Sequence, residues 1–252
     1  VLTGTDGIAT VTLRLPETPG VVTVRATSGT LTAVTFNVTV TAASTGPRIS
    51  SGGVAGAPLS GPAVRAISAN GIASVFGANF APAGTSRAVT SADLVNGQIP
   101  TLFAGVCVRV GDVRAPIFAV FPNQVNFQAP STLTTGDADV RVISGCGTTS
   151  EQVSQPERVP ARAATPEFFY FSQTAEGVNP VAAANASTNQ PVGGQFTPVK
   201  PGDVLTIYAT GFGETDPPLA AGEIPSAIAR VKASVTLTLN GRAVPASNLL
   251  YA

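Results

Sequence analysis

The chain has 252 residues, enough for about two domains of ordinary size or three small β-modules. It contains no His, Trp or Met and only two Cys, which excludes histidine-based catalytic triads, histidine-ligated metals and thiolate clusters. Its 14 Lys and Arg equal its 14 Asp and Glu, so no net charge attracts nucleic acid or an anionic membrane. We therefore predict no cofactor, no metal, no catalytic residue and no nucleic-acid partner. Because no stretch approaches the ~20 uninterrupted apolar residues of a membrane helix, we also predict no membrane insertion.

Apolar and polar side chains alternate along most of the chain, as in half-buried strands. The alternation predicts strands at residues 11–15, 22–26, 34–40, 106–110, 117–121, 125–129, 138–143, 204–209 and 235–239. Val and Thr fill many of these positions, and β-branched side chains favour a pleated surface. Turn signals such as Gly111-Asp112 and Asn240-Gly241 separate neighbouring strands at hairpin spacing. The pattern predicts an all-β chain of antiparallel sandwiches.

Two segments have the composition of connectors between modules. Residues 41–48 are small and polar with one proline, and residues 155–166 contain three prolines, which disfavour a continuous strand or helix. We therefore place boundaries near residues 45 and 162. This predicts three regions: the C-terminal part of a module at 1–42, a complete module at 47–158, and a module lacking its last strands at 163–252.

The incompleteness of the outer regions follows from an internal repeat. The sequence VFGANF at 75–80 recurs as IYATGF at 207–212, and the strand at 106–110 recurs at 235–239. In the other direction, VNFQAP at 125–130 resembles VTLRLP at 11–16, and DVRVISG at 139–145 resembles TVRATSG at 23–29. The front half of the middle module thus recurs at the C-terminal end, and its back half recurs at the N-terminal end.

A half sandwich exposes one apolar sheet face and an unpaired edge, so each outer half requires a partner. One alternative is that the sequence was taken from a longer tandem array that supplies the missing halves. The other is that the C-terminal half of one copy is completed by the N-terminal half of the next, in a head-to-tail filament. The repeat aligns Cys107 with Thr236 and Cys146 with Thr30, so the second alternative predicts contact between Thr30 and Thr236 of neighbouring copies.

The middle module resembles the TIG/IPT immunoglobulin-like domain. The resemblance is carried by GIASVFGANF at 71–80, by residues 107–130, and by VRVISGCGTTS at 140–150. Over residues 63–252 the chain is most similar to the uncharacterised Solibacter-type C-terminal domain family of exported acidobacterial proteins. Residues 1–42, with TDGIATVTL at 5–13, look like the end of an invasin-type bacterial Ig-like domain. These resemblances imply tandem immunoglobulin-like modules, and the family has no assigned enzymatic activity.

Cys107 and Cys146 are separated by 39 positions and have no CxxC spacing or neighbouring cation cluster. We interpret them as a structural disulfide that staples the middle module, rather than as a redox pair. Paired cysteines also favour an oxidising environment, so we expect an extracellular or cell-surface location.

The aromatic run Phe168, Phe169, Tyr170 and Phe171 follows the second connector. We expect it to pack between the middle and C-terminal modules, although it could also form a platform for sugar rings. Taken together, the sequence predicts a non-enzymatic structural or adhesive protein, a stalk or filament subunit. The alternative is a carbohydrate- or surface-binding module of an exported enzyme.

Overall fold

The computed structural model of the chain describes residues 5, 8, 11–16, 18–40, 45–172 and 179–250. These residues are almost entirely β-structure, and the described helices are two short 3-10 helices, Ser91–Asp93 and Ala246–Asn248. The prediction of an all-β fold is therefore confirmed. The chain forms two compact units, Val1–Thr45 and Gly46–Ala252.

The first unit contains an antiparallel hairpin of two strands, β1 (Gly20–Ala26) and β2 (Val34–Val40). Both strands were predicted from their alternation, and the register places Val24 opposite Phe36. The strand predicted at residues 11–15 is wrong: residues 11–16 have no strand conformation, and their side chains are exposed. Alternation gives a segment the capacity to form a strand, but none of the described strands pairs with residues 11–16 in a sheet.

The second unit begins with a two-sheet sandwich that contains the predicted middle module. Its strands are β3 (Arg48–Gly56), β4 (Ile72–Ala78), β5 (Arg87–Ala88), β6 (Val106–Val110), β7 (Val113–Ala115), β8 (Ile117–Phe121), β9 (Gln124–Gln128), β10 (Gly136–Ser144), β11 (Gln152–Val153) and β12 (Glu157–Ala161). One sheet has the order β3-β4-β9-β8-β5, and the other has the order β11-β10-β6-β7 with β12 also paired to β10. All described pairings within these sheets are antiparallel.

The hydrophobic core lies between these two sheets. Val75 and Phe127 from one sheet, and Val108 and Val142 from the other, are completely buried in a single apolar cluster. Burial of each such side chain contributes about 1.5–3 kcal/mol to folding, so this cluster dominates the stability of the sandwich.

The connector predicted at residues 155–166 is wrong in its first half, because β12 lies within it. Pro160 belongs to this strand and stands opposite Asp137 of β10. A proline has no backbone N–H to donate to a neighbouring strand, so it is tolerated mainly in a strand at the margin of a sheet, such as β12, which pairs with β10. The complete sandwich therefore extends to Ala161, beyond the predicted end at residue 158.

The remainder of the second unit, residues 163–250, is here named the C-terminal segment. Its strands are β13 (Glu167–Phe168), β14 (Ala183–Asn185), β15 (Leu205–Ile207), β16 (Ala209–Thr210), β17 (Thr215–Asp216), β18 (Arg230–Val231), β19 (Thr238–Leu239) and β20 (Arg242–Ala243). They form separate two-stranded pairs, β13-β16, β14-β15, β17-β18 and β19-β20. This segment has no five-stranded sheet among its described residues, in contrast to the sandwich beside it.

Candidate functional site

The disulfide predicted from the sequence is present. Cys107 and Cys146 are bonded with their Cα atoms 5.8 Å apart, and both side chains are buried beside Ile143. Cys107 lies in β6 and Cys146 lies two residues beyond the end of β10, so the bond links the ends of two strands that are neighbours in one sheet. Its position fits a structural staple.

The sequence repeat is reproduced by the backbone of the C-terminal segment. In the β6-β7 hairpin, Val110 stands opposite Val113. The β19-β20 hairpin lies 129 positions later in the sequence, and there Leu239 stands opposite Arg242 in the same register. Asn79, at the end of the VFGANF sequence, and Gly211, its counterpart in IYATGF, both adopt left-handed backbone conformations, with φ of 60° and 82°. The C-terminal segment therefore repeats local geometry of the sandwich as well as its sequence.

The two copies of this hairpin differ in burial. Val110 of β6 is 4% exposed, because β10 lies beside it and the opposite sheet covers it. Leu239, its counterpart in β19, is 69% exposed. Among the described residues, β19 pairs with β20 alone. One side of this hairpin is therefore an open sheet edge with an exposed leucine next to it.

The β1-β2 hairpin also has exposed apolar side chains on one of its faces. Residues directly opposite each other in an antiparallel pair point to the same face, so the register defines one wholly apolar face. This surface is here named the hairpin face, and it consists of Val22, Val24, Ala26, Val34, Phe36, Val38 and Val40. Phe36 is 55% exposed and Val34 is 67% exposed, whereas Val22, Val24, Val38 and Val40 are half-buried. The opposite face is mostly polar, with Thr23 and Arg25, but it also carries the exposed Val21.

Buried hydroxyl groups join the C-terminal segment to one end of the sandwich. The Oγ atoms of Ser68 and Thr165 lie 2.9 Å apart, and the Ser68 hydroxyl also donates to the carbonyl of Gly211 at 3.3 Å. The backbone N–H of Ile72 donates to the Thr210 hydroxyl at 2.9 Å. Because buried polar groups are costly unless they are paired, these bonds fix the junction in one geometry.

A buried carboxylate strengthens the same junction. Glu167 is 5% exposed and accepts hydrogen bonds from the backbone N–H and the hydroxyl of Ser60. The side chain reaches Ser60 by passing over Gly56, where an added Cβ would lie 1.3 Å from Oε2 of Glu167. The boundary predicted near residue 162 therefore does not divide two compact units, and separate modules at 47–158 and 163–252 remain a prediction.

The chain enters the sandwich and leaves it at opposite ends of β4. Beyond the last residue of β4, the Asn79 side chain donates to the carbonyl of Gly46, where the second unit begins. At the first residue of β4, the N–H of Ile72 donates to Thr210 of the C-terminal segment. Seven residues of strand span about 23 Å. Gly46 and Thr210 therefore lie at opposite ends of β4.

The aromatic run occupies the C-terminal segment, and its packing between modules remains a prediction. Phe168, Phe169 and Tyr170 are half-buried, and Phe171 is 36% exposed. The Phe171 ring packs edge-on against Phe196, with centroids 4.6 Å apart. An edge-on pair covers part of the flat surface that a sugar ring would need, so this geometry does not by itself favour a sugar platform.

The other predicted contact, between Thr30 and Thr236, joins residues of the two separate units. Both side chains are exposed, Thr30 in the turn that follows β1 and Thr236 just before β19. Their proximity in an assembly remains a prediction. The junction residues Ser68, Thr165 and Glu167 could not be recognised from the sequence, because isolated Ser, Thr and Glu residues carry no local pattern that marks burial.

Acidic residues that stand close together in the sequence are engaged in ion pairs. Asp137 lies 3.2 Å from Arg158, and Glu214 lies 3.0 Å from Lys232. Asp137 also lines a shallow groove of about 450 Å³ at the sandwich surface. In the described ranges, no group of three or more Asp, Glu or Cys residues could hold a metal ion. A search of the same ranges for an apolar helix long enough to span a membrane found none.

Comparisons with known proteins add little to this picture. No protein-family model matches the chain, and no curated protein matches it. Among solved structures, the chain is similar to a protein from Bacteroides vulgatus described as a bacterial DNA binding protein. The two share 14% identity with a TM-score of 0.29, over 56% of this chain and 68% of the other. A similarity at this level carries no argument about fold or function.

Proposed function

We propose that the chain is a non-enzymatic structural or adhesive element, a stalk or filament subunit built of immunoglobulin-like modules in series. The single observation that carries the proposal is that Gly46, where the second unit begins, and Thr210 of the C-terminal segment lie at opposite ends of β4. A sandwich connected in this way transmits force along its strands and adds length with each module.

Two further features support a mechanical role. The Cys107–Cys146 bond closes a loop across the sheet, which limits how far the sandwich extends when it is pulled. The hydrogen bonds of Ser68 and Glu167 fix the C-terminal segment against the sandwich, so the junction resists bending. The disulfide also favours an extracellular or cell-surface location, because such bonds persist in oxidising compartments.

Electron microscopy of the purified chain over a range of concentrations tests the proposal. We expect linear particles, either rods or filaments, whose length is a multiple of one axial repeat. Isolated compact particles at every concentration, together with binding to polysaccharides in a pull-down experiment, would instead support the alternative of a carbohydrate-binding module.

A further inference from the structure

We propose that the outer face of the sheet formed by β7, β6 and β10 binds a linear acidic polysaccharide, a polymer of sugars that carry carboxylate groups. This ligand goes beyond the proposed function, because a stalk or filament needs no bound polysaccharide. Three features of the sandwich support it: a row of arginine side chains, the aspartates around this row, and a groove beside it.

Three arginines lie directly opposite one another on neighbouring strands. The pairing of β6 with β7 places Arg109 opposite Arg114, and the pairing of β6 with β10 places Arg109 opposite Arg141. The residues before and after Arg109, Val108 and Val110, belong to the core, so the three arginines point away from it. This set is here named the arginine row, and its strands lie about 4.8 Å apart.

The arginine row opposes folding, because like charges directly opposite each other destabilise paired strands. The guanidinium group of Arg114 is exposed and forms no ion pair with any residue that the structure describes. Arg109 and Arg141 pair with Asp112 and Asp139 at 3.0 and 3.3 Å, but these are surface ion pairs, which contribute little to stability. An anion that bridges neighbouring guanidinium groups would relieve the repulsion.

The ion pairs of this face indicate which anion fits the arginine row. Arg109 and Arg141 each bind a carboxylate through one nitrogen, which leaves further N–H donors for a ligand. On the adjoining strand β12, Arg158 also binds a carboxylate, that of Asp137, at 3.2 Å. Because a planar guanidinium matches the two oxygens of a carboxylate, the carboxylates of a polysaccharide can bind the row in the same way.

The aspartates of this face favour a polysaccharide over a nucleic acid. Asp137 and Asp139 stand on either side of Ala138, which packs against the core, so both carboxylates lie on the outer face. Carboxylates accept hydrogen bonds, and sugar hydroxyl groups donate them. Duplex DNA instead presents one negative charge per about 1.7 Å of its axis, which the aspartates repel. A ligand with both carboxylate and hydroxyl groups therefore matches a face that carries both Arg and Asp.

A groove of about 450 Å³ adjoins the arginine row. Asp139 lines it, as does Val113, the residue before Arg114 in β7. The loop after β9 contributes Thr132 and Thr134, whose hydroxyl groups can bind a sugar. None of the described residues that line the groove is aromatic, so it has no surface on which nucleic acid bases could stack. Its volume lies within the range of small-ligand sites, about 300–1,000 Å³.

Calorimetric titration of the unmodified chain with polygalacturonate, a polymer of carboxylated sugars, tests the ligand. We expect binding that weakens as salt is added, because salt screens charges beyond about 10 Å at 0.1 M. Dextran, a neutral polysaccharide, should not bind. Absence of binding to polygalacturonate at low salt would overturn the proposal. Equal or tighter binding of duplex DNA would assign the arginine row to nucleic acid and would also overturn it.

Replacement of Arg114 tests the arginine row itself. Arg114→Gln should weaken the binding of polygalacturonate at least about tenfold, because it removes a charged hydrogen-bond donor. It should leave the free energy of unfolding unchanged or raised, because it also removes repulsion of Arg109. Arg230→Gln, which alters an exposed arginine of β18 in a different sheet, is the matched control and should bind normally. Equal affinities of the two variants would overturn the role of the row.

The shape of the particles and the binding of polygalacturonate are separate outcomes. Rods or filaments that do not bind polygalacturonate would reject this ligand and leave the proposed function intact. Compact particles that bind it, with the affinity reduced by Arg114→Gln, would support the ligand and reject the stalk or filament.

Discussion

The complete sandwich and its partial repeat in the C-terminal segment show how the same strand pattern gives opposite environments. The β6-β7 and β19-β20 hairpins have the same register, yet Val110 is 4% exposed and Leu239 is 69% exposed. The hairpin sequence therefore determines local pairing, while burial depends on whether a second strand and a second sheet are present. A hairpin that keeps the pattern without this cover leaves an apolar side chain exposed to water.

The largest expected effect comes from the staple, which only the complete sandwich has. Replacing both Cys107 and Cys146 with Ala should lower the free energy of unfolding of the sandwich by roughly 4 kcal/mol, the chain-entropy value for a loop of this length. Urea unfolding followed by circular dichroism measures this change. Reduction of the unmodified chain should give a similar loss, and an unchanged midpoint in both experiments would contradict a stapling role.

The next largest expected effect is the loss of stability when Gly211, a glycine at the junction, is replaced by Ala. Gly211 has φ of 82°, and an added Cβ would lie 2.0 Å from the carbonyl oxygen of Thr165. Gly84 has φ of 83°, but its Cβ would meet nothing within 4 Å. Both substitutions by Ala carry the backbone cost of about 1–2 kcal/mol. Gly211→Ala should lose about 1–3 kcal/mol more because of the collision.

Thermal or urea unfolding of the Gly211 and Gly84 variants separates these contributions. If Gly84→Ala destabilised the chain as much as Gly211→Ala, backbone conformation alone would account for the loss. The close approach between the C-terminal segment and Thr165 would then be unimportant for the junction.

A smaller expected effect is the difference in stability loss between truncating Val110 and truncating Leu239, which occupy the same position of the repeat. Val110→Ala should destabilise the sandwich by about 2 kcal/mol, because it removes buried methyl groups and leaves a cavity. Leu239→Ala, measured in dilute solution where copies are separated, should change the free energy of unfolding by less than about 0.5 kcal/mol. Comparable losses at the two positions would mean that Leu239 is covered within a single copy.

The smallest expected effect is the loss of the stability that ionised Asp93 contributes as the pH becomes acid. Hydrogen bonds from the hydroxyl and the backbone N–H of Thr90, assisted by Arg87, hold the pKa of Asp93 below its ordinary value of 3.8. The unfolded chain therefore takes up this proton more readily than the folded chain. The stabilisation is complete above the unfolded pKa and is lost as pH falls through the folded pKa.

Unfolding measurements from neutral to strongly acid pH, made on the unmodified chain and on Asp93→Asn, test this dependence. The difference in stability between the two proteins should shrink as the pH falls below about 4. A difference that stayed constant down to the most acid pH would show that the Thr90 contacts do not depend on the ionised carboxylate.

Alternation predicted strands well where both sides of the strand are paired. Strands β6, β8 and β10 lie in the complete sandwich, and each corresponds to a predicted segment. It failed for β3, whose glycine-rich sequence RISSGGVAG contains a register shift between Ile49 and Val54. It also failed at residues 11–15, where the pattern is regular but no described strand lies beside it.

Part of the candidate site could also be predicted from the sequence. The repeat predicted that the strand at 106–110 recurs at 235–239, and the two cysteines predicted the disulfide, because strand pattern and cysteine number can be read from the sequence. The junction formed by Ser68, Thr165 and Glu167 was not predictable, since it brings together single polar residues from 97 or more positions apart. Only the folded arrangement of the sandwich end makes them neighbours.

The central claim is that cover by a second strand and a second sheet, and not local hairpin pairing, distinguishes β6 from β19. Hydrogen–deuterium exchange of the unmodified chain at low protein concentration tests it most directly. We expect the amides of β19 to exchange at least an order of magnitude faster than the amides of β6. Equal exchange rates in the two strands would contradict the claim.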